Sequence, residues 1–64
     1  MLSDREDQVL RMIGSGLTVS EIAATCGLSV KTVSTYRARL LEKLEMRSNA
    51  EVMRYAIENG LMDS

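Results

Sequence analysis

The sequence predicts an all-α fold of four helices in a single small domain covering residues 1–64. Three observations carry that prediction. "SDRE" at 3–6, "TVSE" at 18–21 and "SNAE" at 48–51 each place a Ser or Thr three residues ahead of a Glu, the pattern of the capping box that opens a helix. Behind each start, apolar residues recur at three- and four-residue spacings. No segment alternates polar and apolar residues with the period of a strand.

The first helix is expected from about Asp4 to Gly14, with Val9, Leu10 and Ile13 inward and "GSG" at 14–16 ending it. The second runs from about Val19 to Cys26 and buries Ile22, Ala23 and Cys26. Gly27 then supplies a left-handed residue that closes it. Ser29 can cap a third helix without a partnering Glu. That helix is expected over 30–45, with Val30, Val33, Leu40, Leu41 and Leu44 on its buried side. The fourth is expected over 49–59, stopping at Gly60.

Composition narrows the classes of function. A chain of 64 residues buries only about 60% of its unfolded surface, so its stability is modest. It holds no His, Pro, Trp or Phe, and its single Cys cannot form an internal disulfide. No apolar run approaches the roughly 20 residues that span a membrane. A reducing cytoplasm is the expected setting, and no cofactor is implied. With no His, Gly-rich phosphate loop, metal-ligand cluster or nucleophile–base pair, an enzyme is a poor reading. The net charge of -1 speaks weakly against a polyanionic partner. Its distribution speaks for one: residues 1–30 carry -2, residues 31–47 carry +3 and residues 48–64 carry -2. A polyanion responds to the local field.

The third helix is the informative one. Opposite its apolar side lie Lys31, Thr35 and Arg39, with Thr32, Ser34 and Ala38 at the edges. A merely solvated helix usually carries Glu and Lys there, whereas Ser and Thr are short and poorer helix formers. Only "GLS" separates helices two and three. A short helix, a tight Gly-containing turn and a longer helix with one polar face make a helix-turn-helix, whose second helix enters the major groove of duplex DNA. Short side chains let the backbone approach the groove floor, and hydroxyls bond base edges or phosphate oxygens. Thr35, central on the face, is the first candidate for a base contact. Lys31 and Arg39 fit either base or phosphate. Thr18 and Ser20, at the start of helix two, are candidates for phosphate, because a helix N-terminus attracts anions. Lys43, with Arg47, lies farther along and would steer electrostatically. Arg37 falls on the apolar side and is expected to pack its stem and expose its head. Cys26 reads as a small buried hydrophobe and Tyr36 as core-edge packing.

The spread pattern "LSDRE" at 2–6, "VL" at 9–10, "G" at 16, "EIA" at 21–23, "LS" at 28–29, "KTV" at 31–33, "KL" at 43–44, "A" at 56 and "GL" at 60–61 resembles the C-terminal DNA-binding domain of the LuxR/FixJ family of bacterial regulators, the GerE-like domain. The resemblance covers Leu2 to Leu61. It implies a four-helix fold, sequence-specific binding of duplex DNA by helix three at two-fold-related half-sites, and homodimers that pair through helix four. Family members are often fused to a receiver or a ligand-binding domain, and neither lies within these residues. Three positions depart from the usual pattern: Cys26 stands for Leu, Tyr36 for His, and Asn49 for Arg. In helix four, Ala50, Met53 and Ile57 form one apolar stripe and Val52, Tyr55 and Ala56 another side, which is taken as the dimer surface. The rival reading is a protein-binding module that uses the same scaffold without touching DNA.

Overall fold

A computed structural model gives the protein's structure over residues 2–60. Met1 and residues 61–64, and with them Leu61 of the "GL" pair, lie outside the described residues. Those described residues form four helices, α1 (Asp4–Gly14), α2 (Val19–Cys26), α3 (Val30–Lys43) and α4 (Asn49–Glu58), and no strand. The all-α prediction holds. None of these helices is long and apolar enough to cross a membrane.

Two of the three expected capping boxes are reciprocal. Ser3 Oγ accepts the Glu6 N–H at 3.2 Å while Glu6 Oε1 accepts the Ser3 N–H at 2.9 Å. Thr18 and Glu21 repeat this at 3.2 and 2.8 Å. At α4, Ser48 accepts the Glu51 N–H, but the Glu51 carboxylate reaches one residue farther back, to the Arg47 N–H at 3.0 Å.

The helices end by a common device. Gly16 and Gly27 take left-handed conformations after α1 and α2. The next residue's N–H then returns five residues, Leu17 to Met12 and Leu28 to Ala23. The third helix closes the same way, two residues before the expected 45. Glu45 takes the left-handed position at φ 56°, its N–H returns to Glu42, and the Met46 N–H returns to Leu41 at 2.8 Å. Met46 thereby folds back against the core. The fourth helix ends at Glu58, with Asn59 as its cap.

Helix α1 packs against α2, α3 and α4, and α2 packs on α3 to make the helix-turn-helix. Val9, Leu10, Ile13, Ile22, Ala23, Val33, Leu40, Leu41 and Val52 form the shared core. Four expectations about burial need correction. Val30, the first residue of α3 after its Ser29 cap, is half exposed, and Leu44, the cap of α3, is only partly buried. Val52 and Ala56 are fully buried, so they belong to the domain's own core and cannot form a dimer surface. Their stripe on α4 turns inward, Tyr55 is half-buried beside it, and Met53 and Ile57 are the exposed apolar residues. Cys26 lies at the core's edge, its Sγ 3.7 Å from the Met12 sulfur.

Candidate nucleic-acid interface

The core stripe of Val33 and Leu40 fixes how α3 is turned. With that side inward, Lys31, Ser34, Thr35, Ala38 and Arg39 are all exposed, and Thr32 is half-buried at the margin. Lys31, Thr35 and Arg39 follow one another at four-residue intervals and span about 12 Å of helix axis. None of the exposed side chains at 31, 34, 38 and 39 is long and apolar, so the strip is low, with a cation near each end.

The hydroxyls are partly committed. Thr35 Oγ1 donates to the Lys31 carbonyl at 3.1 Å, which commits its proton and leaves its exposed side chain an oxygen that can accept and a methyl. A base amino group or a thymine methyl fits that presentation. Thr32 is drawn into the cap of α3: Ser29 Oγ accepts its N–H at 3.1 Å and donates to its Oγ1 at 2.9 Å. Its first role is therefore to fix the start of the helix. At α2, Thr18 and Ser20 are exposed, but the Glu21 carboxylate already occupies the Thr18 N–H. The reason given for a phosphate there, an open helix N-terminus, is thereby weakened for Thr18. Its hydroxyl proton stays available.

The cations divide into two groups. Arg5 bonds Gln8, Arg11 pairs with Asp7 at 3.0 Å, and Arg54 pairs with Glu58. Arg37 Nε donates to Asn49 Oδ1 at 2.7 Å. So the position where the family pattern has Arg is here an Asn that receives an Arg from α3. The expected snorkelling of Arg37 omitted this bond, which joins α3 to the start of α4. Lys43 is not a free steering charge either. Its Nζ sits 2.7 Å from Oε1 of Glu6, which is only 3% exposed. The Lys43 ammonium, together with the Ser3 N–H, holds the Glu6 carboxyl down at about 2 against an ordinary 4.5, outweighing the opposing cost of burial. Lys43 thus belongs to the frame that holds α1 against α3. The Ser3–Glu6 spacing signalled the cap, but nothing in the sequence signalled that Glu6 is buried. Lys31, Arg39 and Arg47 form no such pair among the described residues, and Arg47 lies beyond the end of α3.

The family model for bacterial regulatory proteins of the luxR family matches residues 1–56. The chain belongs to that family. Among its relatives, the response regulator UvrY of Escherichia coli is 41% identical over 63 residues, covering 98% of this chain and 29% of that protein. The response regulator GacA of Pseudomonas aeruginosa gives the same figures. BvgA of Bordetella pertussis, described as a putative positive transcription regulator of virulence factors, is 44% identical over 61 residues, 95% of this chain and 29% of that protein. The luxR-family chain therefore spans under a third of the length of these relatives. The resemblance carried by "LSDRE", "EIA" and "KTV" is met, and the family is one of transcription regulators rather than a class of enzymes.

Proposed function

We propose that this domain binds duplex DNA sequence-specifically, with α3 in the major groove, as the output part of a transcription regulator acting in the bacterial cytoplasm. One observation carries the reading: Lys31 and Arg39 stand without ion pairs at the two ends of an exposed strip of short side chains on α3, whereas Arg5, Arg11, Arg37, Lys43 and Arg54 are each engaged within the domain and Arg47, also exposed and without an ion pair, lies past the end of that helix. On a helix lying in the groove, cations about 12 Å apart along the axis leave Thr35 between them to meet the base edges. Ser34 and Ala38 flank that position, Thr32 anchors the helix start, and Thr18 and Ser20 face the backbone. The printed descriptions of UvrY and GacA as response regulators support a receiver domain elsewhere in a longer parent chain. The family's habit of pairing through the fourth helix supports a homodimer on two-fold-related half-sites, weak for the isolated domain.

Salt titrations of DNA binding test this, on a duplex selected by the chain from a randomised pool and on its scrambled counterpart. Lys31→Ala and Arg39→Ala should weaken both duplexes and lower the salt slope by about one each. Thr35→Ala should cost about 1–3 kcal/mol on the selected duplex and little on the other. None should shift the melting temperature much, since all three side chains are exposed. Parent-like binding by all three variants would move the assignment to a protein-binding scaffold.

A further inference from the structure

The first residue of α3 has no place in the core. Helical spacing groups Val30 with Val33 and Leu40, yet it stands half exposed. Val19, Cys26, Leu28 and Tyr36 all pack against the core. Among the described residues of the helix-turn-helix, Val30 is the one large apolar side chain that neither enters the core nor packs against it. A lone exposed valine is ordinary on a protein surface, so its place decides what it means. Val30 follows the Ser29 cap, precedes Lys31 and has Ser34 exposed one turn on. It therefore extends the exposed strip at its N-terminal end. Every Cα–Cβ bond of an α-helix tilts toward the N-terminus, so the Val30 methyls lean out past the first turn of α3. A β-branched residue is also a poorer helix former than Ala, and methyls left in water stabilise nothing. A locally unfavourable choice that the fold does not use points to a role outside it.

In a helix-turn-helix the N-terminal residues of the second helix contact the base edges. The floor of the major groove offers an apolar side chain one apolar feature, the C5-methyl of thymine. Resting on the DNA-binding reading above, we propose that Val30 is a specificity-determining residue that packs its methyls on a thymine methyl in each half-site. The contact has no polar component. It holds no phosphate and releases no counterion, so it adds to specific binding and leaves non-specific binding alone. Thr35 also carries a methyl, but it lies about 7.5 Å farther along the axis, about two base-pair rises of 3.4 Å. The two side chains therefore read different base pairs.

Deoxyuridine lacks only the C5-methyl of thymidine, which gives a direct test. The thymines of the selected duplex are replaced by deoxyuridine one position at a time, and binding of the parent and of Val30→Ala is titrated by fluorescence anisotropy. For the parent, one replacement in each half-site should weaken binding roughly three- to tenfold, the scale of one or two methyl groups removed from water. Val30→Ala should weaken the unmodified duplex by a similar factor and be indifferent to that same replacement, while keeping its sensitivity to any thymine that Thr35 reads. Its affinity for the scrambled duplex, its salt slope and its melting temperature should stay at the parent's values. Replacements that cost the parent and Val30→Ala alike at every position would overturn the proposal. So would a selected site with no sensitive thymine, equal losses on both duplexes, or a lowered melting temperature, which would return Val30 to the fold. If Lys31→Ala and Arg39→Ala weaken binding while Val30→Ala is inert, only this inference fails. A parent chain that binds neither duplex removes both.

Discussion

A buried carboxylate is normally a liability, and Glu6 is tolerable because its Oε1 accepts from both the Lys43 ammonium at 2.7 Å and the Ser3 N–H at 2.9 Å. Its depressed pKa makes a prediction about acid. A carboxyl at about 2 in the folded chain and near 4.5 in the unfolded one contributes stability that is complete above pH 4.5 and is lost as pH falls toward 2. Thermal melts from pH 6 to pH 2 should show the parent declining through that window. Lys43→Met should melt lower than the parent at pH 7, since it strands Glu6. It should also decline less steeply between pH 4.5 and 2, because the folded-state pKa of Glu6 then rises toward its unfolded value. Parallel pH profiles for the two proteins would mean that the Glu6–Lys43 bond contributes nothing. The residue scale was half legible in advance. The spacing of Ser3 and Glu6 gave the cap, but the distant partner, 37 residues along the chain, had no local signature. The same holds for Arg37 and Asn49, which are 12 residues apart and meet only when the chain turns back after α3 to start α4.

At the scale of elements, starts were more legible than ends, and ends were legible where a glycine marks them. Gly16, Gly27 and Gly60 all sit at positive φ where helices stop, and the expected ends there agree with the structure to within a residue. The third helix uses the same closure with Glu45 in the left-handed position, so its end carries no mark and the expected helix runs two residues too far. A non-glycine residue there costs about 1–2 kcal/mol in backbone sterics. Glu45→Gly should therefore stabilise the domain by about 1 kcal/mol, less whatever entropy glycine adds to the unfolded chain. For a domain of this size that amounts to about 4–8 °C in Tm. The substitution removes no contact, because Glu45 is exposed. An unchanged or lowered Tm would show that the closure by Met46 onto Leu41, not the backbone of residue 45, governs how α3 ends.

For the molecule as a whole, the decisive ambiguity lay in α4, whose two apolar sides look alike in sequence. Helical spacing groups Val52, Tyr55 and Ala56 apart from Ala50, Met53 and Ile57, but it cannot say which group meets α1. Packing decides: Val52 and Ala56 fill the space against α1, while Ile57 stays 68% exposed and Met53 39% exposed. An exposed aliphatic pair on a terminal helix, one turn apart, is the surface that a two-fold partner would cover. On the proposed reading, in which two copies occupy the half-sites of a palindrome, a contact between them on α4 would make their binding cooperative and so couple that contact to DNA affinity. Ile57→Glu should leave binding to a single half-site and the melting temperature close to those of the parent, since the side chain is mostly outside the core. It should weaken binding to a paired site by about tenfold or more, with the loss confined to the cooperative step. Val52→Glu should behave differently, lowering the Tm steeply and both binding constants together, because it puts a charge into the core. Measuring the two variants side by side on half-site and paired duplexes separates a lost interface from a damaged fold. Equal loss on both duplexes for a folded Ile57→Glu would place the two-fold contact somewhere other than the exposed side of α4.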